Sequence, residues 1–245
     1  MTAAAVLAGS AVVLAVVTAA TAREPERGVP DLAGFRARWS ALHGGYDPAG
    51  SVWVRGWLAV VYRLGVPLAR RGVQPDVLTL WGVWVALAVA VTAQAGGTWP
   101  LLAGLLVVLS GLGDALDGCV ATLTDRATRW GFVLDSFADR VSDGLYLLAV
   151  WFVGAPAWLA VATGATIGLH ELVRARALGA GMAGMGAVTV GERPTRLICC
   201  AGALLFAGAL PEHAAGSATL WLGALGVLAA VGLGHLLVAV RRALR

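Results

Sequence analysis

Charge is scarce in this 245-residue chain: Asp, Glu, Lys and Arg together make up 13% of it, against 59% hydrophobic residues and a mean hydropathy of +0.80. That shortage excludes a soluble domain of ordinary make-up, in which about a quarter of the residues are charged, and leaves a polytopic membrane protein. Lysine is absent: all 18 basic residues are arginine, so the net charge of +4 informs only through where the arginines stand. Cysteine is sparse as well. Cys119, Cys199 and Cys200 lie in apolar stretches and form no C-x-x-C ladder, which leaves them as small core side chains without a metal or redox role. Other apparent motifs fail for want of a partner. Gly179-x-Gly181-x-x-Gly184 matches a dinucleotide fingerprint, yet no strand precedes it, so it reads as a loop between spans. His170-Glu171 opens like a metalloprotease helix, but position 174 is Arg; His43, His213 and His235 have no clustered partners and read as interfacial or packing residues.

What the chain has in abundance is apolar runs of about the 20 residues that a membrane span needs. Seven candidates fall near residues 2–22, 77–95, 99–121, 131–153, 157–177, 194–211 and 217–240. Arginines gather before the second run (Arg63, Arg70, Arg71), between the third and fourth (Arg126, Arg129), between the fifth and sixth (Arg174, Arg176, Arg193, Arg196) and after the last (Arg241, Arg242, Arg245), while the intervening connections carry none. By the positive-inside rule the arginine-bearing side is cytoplasmic, and Trp99, Trp151, Trp158 and Trp221 mark the outer interface. The first run ends Ala20-Thr21-Ala22 like a signal peptide but lacks a basic n-region, and its cleavage would invert every later loop against its arginines. It reads as an extra N-terminal helix; a signal peptide and a misassigned start are the alternatives. Residues 23–50 read as a polar linker, and 51–71, with Trp53, Trp57 and Tyr62 among spaced arginines, as an interfacial amphipathic helix or a short buried one. The expectation is an all-α integral membrane protein: a six-helix core over 77–240 within a domain spanning 51–245, an interfacial helix, an extra N-terminal span and a basic tail. The bilayer is its expected partner and nucleic acid is not.

Four acids break the apolar pattern. Asp114 and Asp117 stand three apart and Asp135 and Asp139 four apart, so each pair shares one helical face near the cytoplasmic end of its span. A carboxylate at the bilayer centre costs roughly 2.5–3.5 kcal/mol, so four left unpaired there would cost on the order of 10 kcal/mol. Clustered buried acids call for cations, and hard divalent ions prefer oxygen ligands.

Written out, the acidic region is Asp114-x-x-Asp117-Gly118-x-x-Ala121-Thr122, eight residues, then Gly131-x-x-x-Asp135-x-x-x-Asp139. This resembles the signature of the CDP-alcohol phosphotransferase family, D-x-x-D-G-x-x-A-R-x8-G-x-x-x-D-x-x-x-D, at seven of its eight defined positions. Pro75-Asp76-x-x-Thr79-x-x-Gly82 is similar to the element that opens the family's first core helix. Val173-Arg174-Ala175-Arg176 and Glu192-Arg193-Pro194-x-Arg196 are similar to the acceptor-side segments of the branch that makes phosphatidylinositol phosphate and phosphatidylglycerol phosphate. The resemblance implies phosphatidyl transfer from CDP-diacylglycerol to a small alcohol, with release of CMP. It implies two Mg2+ or Mn2+ ions on Asp114, Asp117, Asp135 and Asp139, with Asp139 also the general base. The nucleotide lipid would be held by Asp76, Thr79, Gly118, Ala121, Thr122, Arg126 and Gly131, and the acceptor by Arg174, Arg176, Arg193 and Arg196. Homodimerisation is implied as well. Thr122 departs from the pattern, which has Arg there to help hold the nucleotide's phosphates; Arg126, one turn on, could supply the charge instead.

The chemistry agrees with that implication, because two ions held by carboxylates neutralise charge on both the transferring phosphoryl and the leaving group. A guanidinium cluster suits an acceptor that already carries a phosphate, inositol 1-phosphate or glycerol 3-phosphate. Asp143 continues the acidic face one turn beyond Asp139, but lies three residues from Arg140 and reads as a salt bridge or packing group. Two other classes compete. A membrane prenyltransferase also uses paired Asp-rich motifs with magnesium, though its repeats sit in separate halves of the chain; a transporter would hold carboxylates at midplane, and no inverted repeat is visible here. Alcohol-stimulated CMP release separates the first reading from both.

Overall fold

The computed structural model describes residues 3–23, 28–182 and 189–245. Met1, residues 24–27 of the expected linker and Gly184 of the glycine-rich loop lie outside the described residues. All regular structure among the described residues is helical, and no strand occurs there. In chain order the helices are α1 (Ala3–Thr21), α2 (Leu32–Leu42), α3 (Val52–Arg70), α4 (Pro75–Gln94), α5 (Trp99–Thr124), α6 (Arg129–Phe152), α7 (Ala157–Gly179), α8 (Arg193–Ala209) and α9 (Ala214–Ala243), with 3-10 turns at Pro48–Gly50 and Pro211–His213. Pro75–Gln94, Trp99–Thr124 and Pro211–Ala243 are long and apolar enough to cross a membrane. Leu101, Leu105, Val108 and Leu109 on α5 and Leu220, Val227 and Val231 on α9 face outward, as lipid-facing side chains do.

The chain divides into two compact units: Met1–Trp84 with Leu109–Asp139, and Val85–Val108 with Arg140–Arg245. In the first, α1 runs antiparallel to α4, because Trp84 Nε1 donates to Ser10 Oγ (2.7 Å) and Trp81 Nε1 to Thr18 Oγ1 (3.0 Å). Small residues let α4 and α5 approach closely: Gly82 Cα would lie 3.7 Å from a Cβ placed on Gly113, and Ser110 Oγ donates to the Gly82 carbonyl at 2.8 Å. α3 is two-faced, burying Leu58, Val61, Gly65 and Ala69 at helical spacing while Trp53, Trp57, Val60 and Leu64 stay exposed. It runs on through Pro67, whose side chain is exposed, to Arg70.

The linker reading is corrected over part of its length: residues 32–42 are helical. Asp31 caps α2 by accepting from the Gly34 N–H (2.8 Å), and Phe35, 1% exposed, packs into the core formed by Leu58, Val61, Cys119, Val120 and Leu123. Tyr62 Oη donates to the Pro30 carbonyl at 3.0 Å and fastens the start of the helix to α3.

In the second unit α7 and α8 both pack on α9 around Tyr146, Ile167, Leu204, Leu222 and Leu225. Glycines set the closest approaches. A Cβ on Gly202 would meet the Trp221 ring at 2.8 Å, and one on Gly232 would meet the Gly191 nitrogen at 2.9 Å, so the chain entering α8 can press against α9. Cys199 and Cys200 are buried and free, as is Cys119 in the first unit.

Candidate active site

The site is made by the turn that joins α5 to α6. α5 ends where Asp125 takes a left-handed conformation (φ 55°), one that Asp tolerates better than most residues, and the Arg126 N–H closes back onto the Ala121 carbonyl at 2.9 Å. Two residues on, Thr128 Oγ1 accepts from the Gly131 N–H (2.9 Å) and starts α6. The short reversal sets the acidic faces of the two helices together, and one ligand oxygen each from half-buried Asp114, Asp135 and Asp139 lies within 4.8 Å of the others. Converging hard oxygens of this kind fit a divalent cation such as Mg2+ or Mn2+ and offer nothing to a metal that selects thiolate or imidazole.

Asp117 is turned differently from its three companions. It is 6% exposed and accepts a hydrogen bond from Thr79 Oγ1 at 2.6 Å and another from the Gly118 N–H at 2.5 Å. Thr79 thereby couples α4 to the acidic end of α5 across 38 positions of sequence. Beside this pair opens a cleft of about 180 Å³ lined by Pro75, Asp76, Thr79, Asp117, Gly118, Ala121, Arg126, Ala127, Thr128, Gly131, Phe132 and Asp135. Gly118 leaves its wall open, since a Cβ there would meet nothing within 4 Å, whereas one on Gly131 would stand 3.1 Å from Thr128 Oγ1 and 3.4 Å from Asp76 Oδ1. Six of the seven residues expected at the nucleotide line this cleft. The seventh, Thr122, is buried behind it, with its hydroxyl donating to the Gly118 carbonyl (2.7 Å) and its own carbonyl accepting from Arg38 Nη1 (3.3 Å). Ala127, Thr128 and Phe132 belong to no motif quoted from the sequence, and Pro75 stands there only as the start of the element similar to the family's first core helix; the S/T-x-x-G spacing of Thr128 before an apolar helix is the one signal that could have found a member of that set.

The arginines expected at the acceptor belong to the second unit, where Arg174 and Arg196 hold carboxylates. Arg174 makes a two-pronged pair with Glu192 (Nη1 to Oε2 3.0 Å, Nη2 to Oε1 2.5 Å). Arg196, 1% exposed, donates to Asp143 (2.9 Å), Glu171 (2.8 Å) and the Gly191 carbonyl (3.0 Å). Arg140 joins the same network through Glu171 at 3.1 Å and lies 3.7 Å from Asp143, the bridge anticipated from their spacing. A guanidinium buried this deeply needs such partners, because an unpaired one would strongly favour unfolding. Burial alone would raise the pKa of Glu192, but hydrogen bonds from Arg174 and from the Thr189 N–H, with the charge of Arg174, hold it down at about 2. Arg176 is exposed, and Arg193 opens α8 half-buried. His170 is buried against Thr189 Oγ1 (3.0 Å), a packing position within the same network.

Comparison with known proteins gives this arrangement its class. The family profile described as CDP-alcohol phosphatidyltransferase matches residues 73–232, and the chain belongs to that family of phospholipid-biosynthetic membrane transferases. It is 34% identical over 154 residues to the phosphatidylinositol phosphate synthase of Mycobacteroides abscessus, covering 59% of this chain and 68% of that protein. It is 30% identical over 134 residues to the archaetidylinositol phosphate synthase of Pyrococcus horikoshii, covering 54% of this chain and 70% of that one. The crystal structure of Mycobacterium tuberculosis phosphatidylinositol phosphate synthase with CDP-DAG bound superposes with a TM-score of 0.59 at 25% identity, over 74% of this chain and 94% of that one. A structure of that same synthase holds manganese and citrate, and overlays with a TM-score of 0.57 at 25% identity, over 74% of this chain and 88% of that one.

Proposed function

We propose that this enzyme transfers a phosphatidyl group from CDP-diacylglycerol to the hydroxyl of inositol 1-phosphate and releases CMP. The observation that carries the reading is the convergence of Asp114, Asp135 and Asp139 beside the cleft lined by Asp76, Thr79 and Arg126. The names of the relatives favour inositol phosphate over glycerol 3-phosphate as acceptor.

In this reading Asp114, Asp117, Asp135 and Asp139 hold two divalent ions, Mg2+ or Mn2+. When bound, the ions supply charge neutralisation at the transferring phosphoryl and the departing CMP. Asp76, Thr79, Gly118, Ala121, Arg126 and Gly131 seat the nucleotide, with Thr122 bracing the Gly118 wall from behind. Asp139 takes the proton of the acceptor hydroxyl as its oxygen bonds to the phosphorus that carries diacylglycerol; the bond from that phosphorus to the bridging oxygen breaks, and the oxygen leaves with CMP. Arg176 and Arg193 meet the acceptor's phosphate, and Arg174 and Arg196, engaged with Glu192, Asp143 and Glu171, position that segment.

The architecture proposed with this chemistry has α4 to α9 as six spans of a catalytic domain over residues 51–245, α1 as an additional span preceding the 23–50 connection, and α3 on the inner leaflet. The active site faces the cytoplasm and the enzyme is a homodimer. Two features support the placement of α1: its antiparallel pairing with α4, and the hydrogen bond from the Arg23 N–H to the Gly72 carbonyl (3.0 Å), which brings its C-terminal end to the arginine-bearing start of α4.

The test is CMP release by the purified full-length protein, given CDP-diacylglycerol, a divalent ion and a panel of acceptors. Inositol 1-phosphate should be used best and glycerol 3-phosphate next. Turnover with serine or free inositol at matching rates overturns the acceptor assignment, and absence of CMP release with every alcohol overturns the donor.

A further inference from the structure

We propose that the segment preceding the family-matched residues carries a second ligand site, one for the phosphodiester of an anionic membrane phospholipid. α2, the Pro48–Gly50 turn and α3 enclose a groove of about 480 Å³, within the range of roughly 300–1,000 Å³ typical of small-molecule sites. Its polar lining is Arg36, Ser40, Asp47 and Arg55, and the rest is alanine and proline. Arg36 Nη2 donates to the Arg55 carbonyl at 3.2 Å, which holds one guanidinium across the groove beside the helix that bears the other. Arg36 Nε is buried with no hydrogen-bond partner, and neither guanidinium has an ion pair among the described residues. Asp47 is occupied in capping the 3-10 turn, where it accepts from the Ala49 N–H at 2.9 Å. The lining therefore has two guanidinium groups to one carboxylate, and guanidinium forks match phosphate oxygens geometrically as well as electrostatically.

The rim identifies the source of the phosphate. Leu42, Tyr46, Val52, Trp53 and Trp57 stand exposed on the same two helices and the turn between them, Trp53 at 88% and Val52 at 71%. Aromatic side chains with arginines among them are the composition of a surface resting at headgroup depth, so the phosphate presented to this groove is that of a lipid. None of these residues lines the cleft beside the clustered aspartates, and the site stands whichever substrate that cleft takes.

The experiment uses the full chain in neutral detergent, titrated separately with dihexanoyl phosphatidylglycerol, dihexanoyl phosphatidylcholine, glycerol phosphate and inorganic phosphate, with bound ligand counted by native mass spectrometry. Phosphatidylglycerol should bind about tenfold more tightly than phosphatidylcholine, and the variant combining Arg36→Gln with Arg55→Gln should lose roughly 10- to 100-fold of its affinity with CMP release unchanged. Asp47→Asn keeps an acceptor for the Ala49 N–H and removes the opposing charge, so it should tighten phosphatidylglycerol a few-fold. Undiminished binding by the double variant overturns the site. Inorganic phosphate binding as well as phosphatidylglycerol overturns the lipid assignment. Should the double variant fail to fold, an Asp47→Asn protein with unaltered phosphatidylglycerol affinity overturns it instead.

Discussion

Asp139 and Asp143 lie one turn apart on α6, yet they meet opposite surroundings. Asp139 converges with Asp114 and Asp135 so that three carboxylate oxygens lie within 4.8 Å, whereas Asp143 receives the Arg196 guanidinium at 2.9 Å. The first unit brings three carboxylates to one point, and the second matches Asp143, Glu171 and Glu192 with Arg196, Arg140 and Arg174. Converging carboxylates repel one another, and a cation between them relieves the repulsion; matched pairs need nothing further. An acid in an apolar helix is thus not in itself a sign of catalysis. What marks the clustered use is the convergence of several carboxylate oxygens on one point, which an acid matched to a guanidinium, such as Asp143, does not need.

The largest effect is expected from removing one member of the like-charged group. Asp114→Asn or Asp135→Asn should abolish transfer and weaken divalent-ion binding while the protein stays inserted. Asp139→Asn should cost roughly 10²- to 10⁴-fold in turnover, the range for a lost general base, with ion affinity largely kept. CMP release measured alongside metal titration separates the two behaviours, and activity within a few fold of wild type in any of the three breaks the comparison at its catalytic end.

Next comes the opposite-charge group. Arg196→Ala leaves Asp143 buried without its closest cation, and breaking a buried pair in this way costs about 3–5 kcal/mol. Replacing Arg196 and Asp143 together by Leu should recover much of the lost stability, because apolar side chains of similar size often substitute for a buried pair without penalty. Thermal unfolding in detergent reads both. An unchanged melting temperature in Arg196→Ala, with only the acceptor constant raised, would show that Arg196 serves the acceptor directly and not the fold.

The two groups were unequally legible in the sequence. Asp114, Asp117, Asp135 and Asp139 announce themselves because helical spacing brings members of each pair to one face, and local periodicity is what a sequence displays. The pairing of Arg196 with Asp143 spans 53 positions and that with Glu171 spans 25, so no local pattern signals either, and the arginines were read for topology and acceptor binding alone. The divergence of Asp117 toward Thr79 was hidden for the same reason. α2 escaped notice because it is short and buries one large side chain, Phe35, which left residues 23–50 reading as polar connection.

A smaller effect sharpens the first unit's side. Arg126 lines the cleft while Thr122, standing where the family pattern has Arg, is committed to the Gly118 carbonyl behind it. Losing a charge-assisted hydrogen bond of about 1.5–3 kcal/mol, Arg126→Ala should raise the apparent constant for CDP-diacylglycerol roughly 10- to 100-fold with the acceptor constant little changed. If Arg126→Ala leaves the donor constant as it was, the charge missing at position 122 is not supplied from position 126.

The smallest effect is a pH dependence in the second unit. Glu192 has its pKa lowered from the ordinary 4.5 to about 2, since the hydrogen bonds and charge of Arg174, with the Thr189 N–H, outweigh the effect of burial. A carboxylate depressed in the folded state binds fewer protons there than in the unfolded chain, so its contribution to stability is complete above about pH 5 and is lost as the pH falls from 4.5 toward 2. Comparing wild type with Glu192→Gln removes the acid sensitivity that both proteins share. The glutamine keeps an acceptor for Thr189 but not the charge for Arg174, so the gap between the two melting temperatures should hold steady from pH 7 to 5 and close below that. A gap that stays the same down to pH 3 would mean that Arg174 and Glu192 are joined by shape and hydrogen bonding alone, and the matched charges of the second unit would then owe less to electrostatics than those of Asp143 and Arg196.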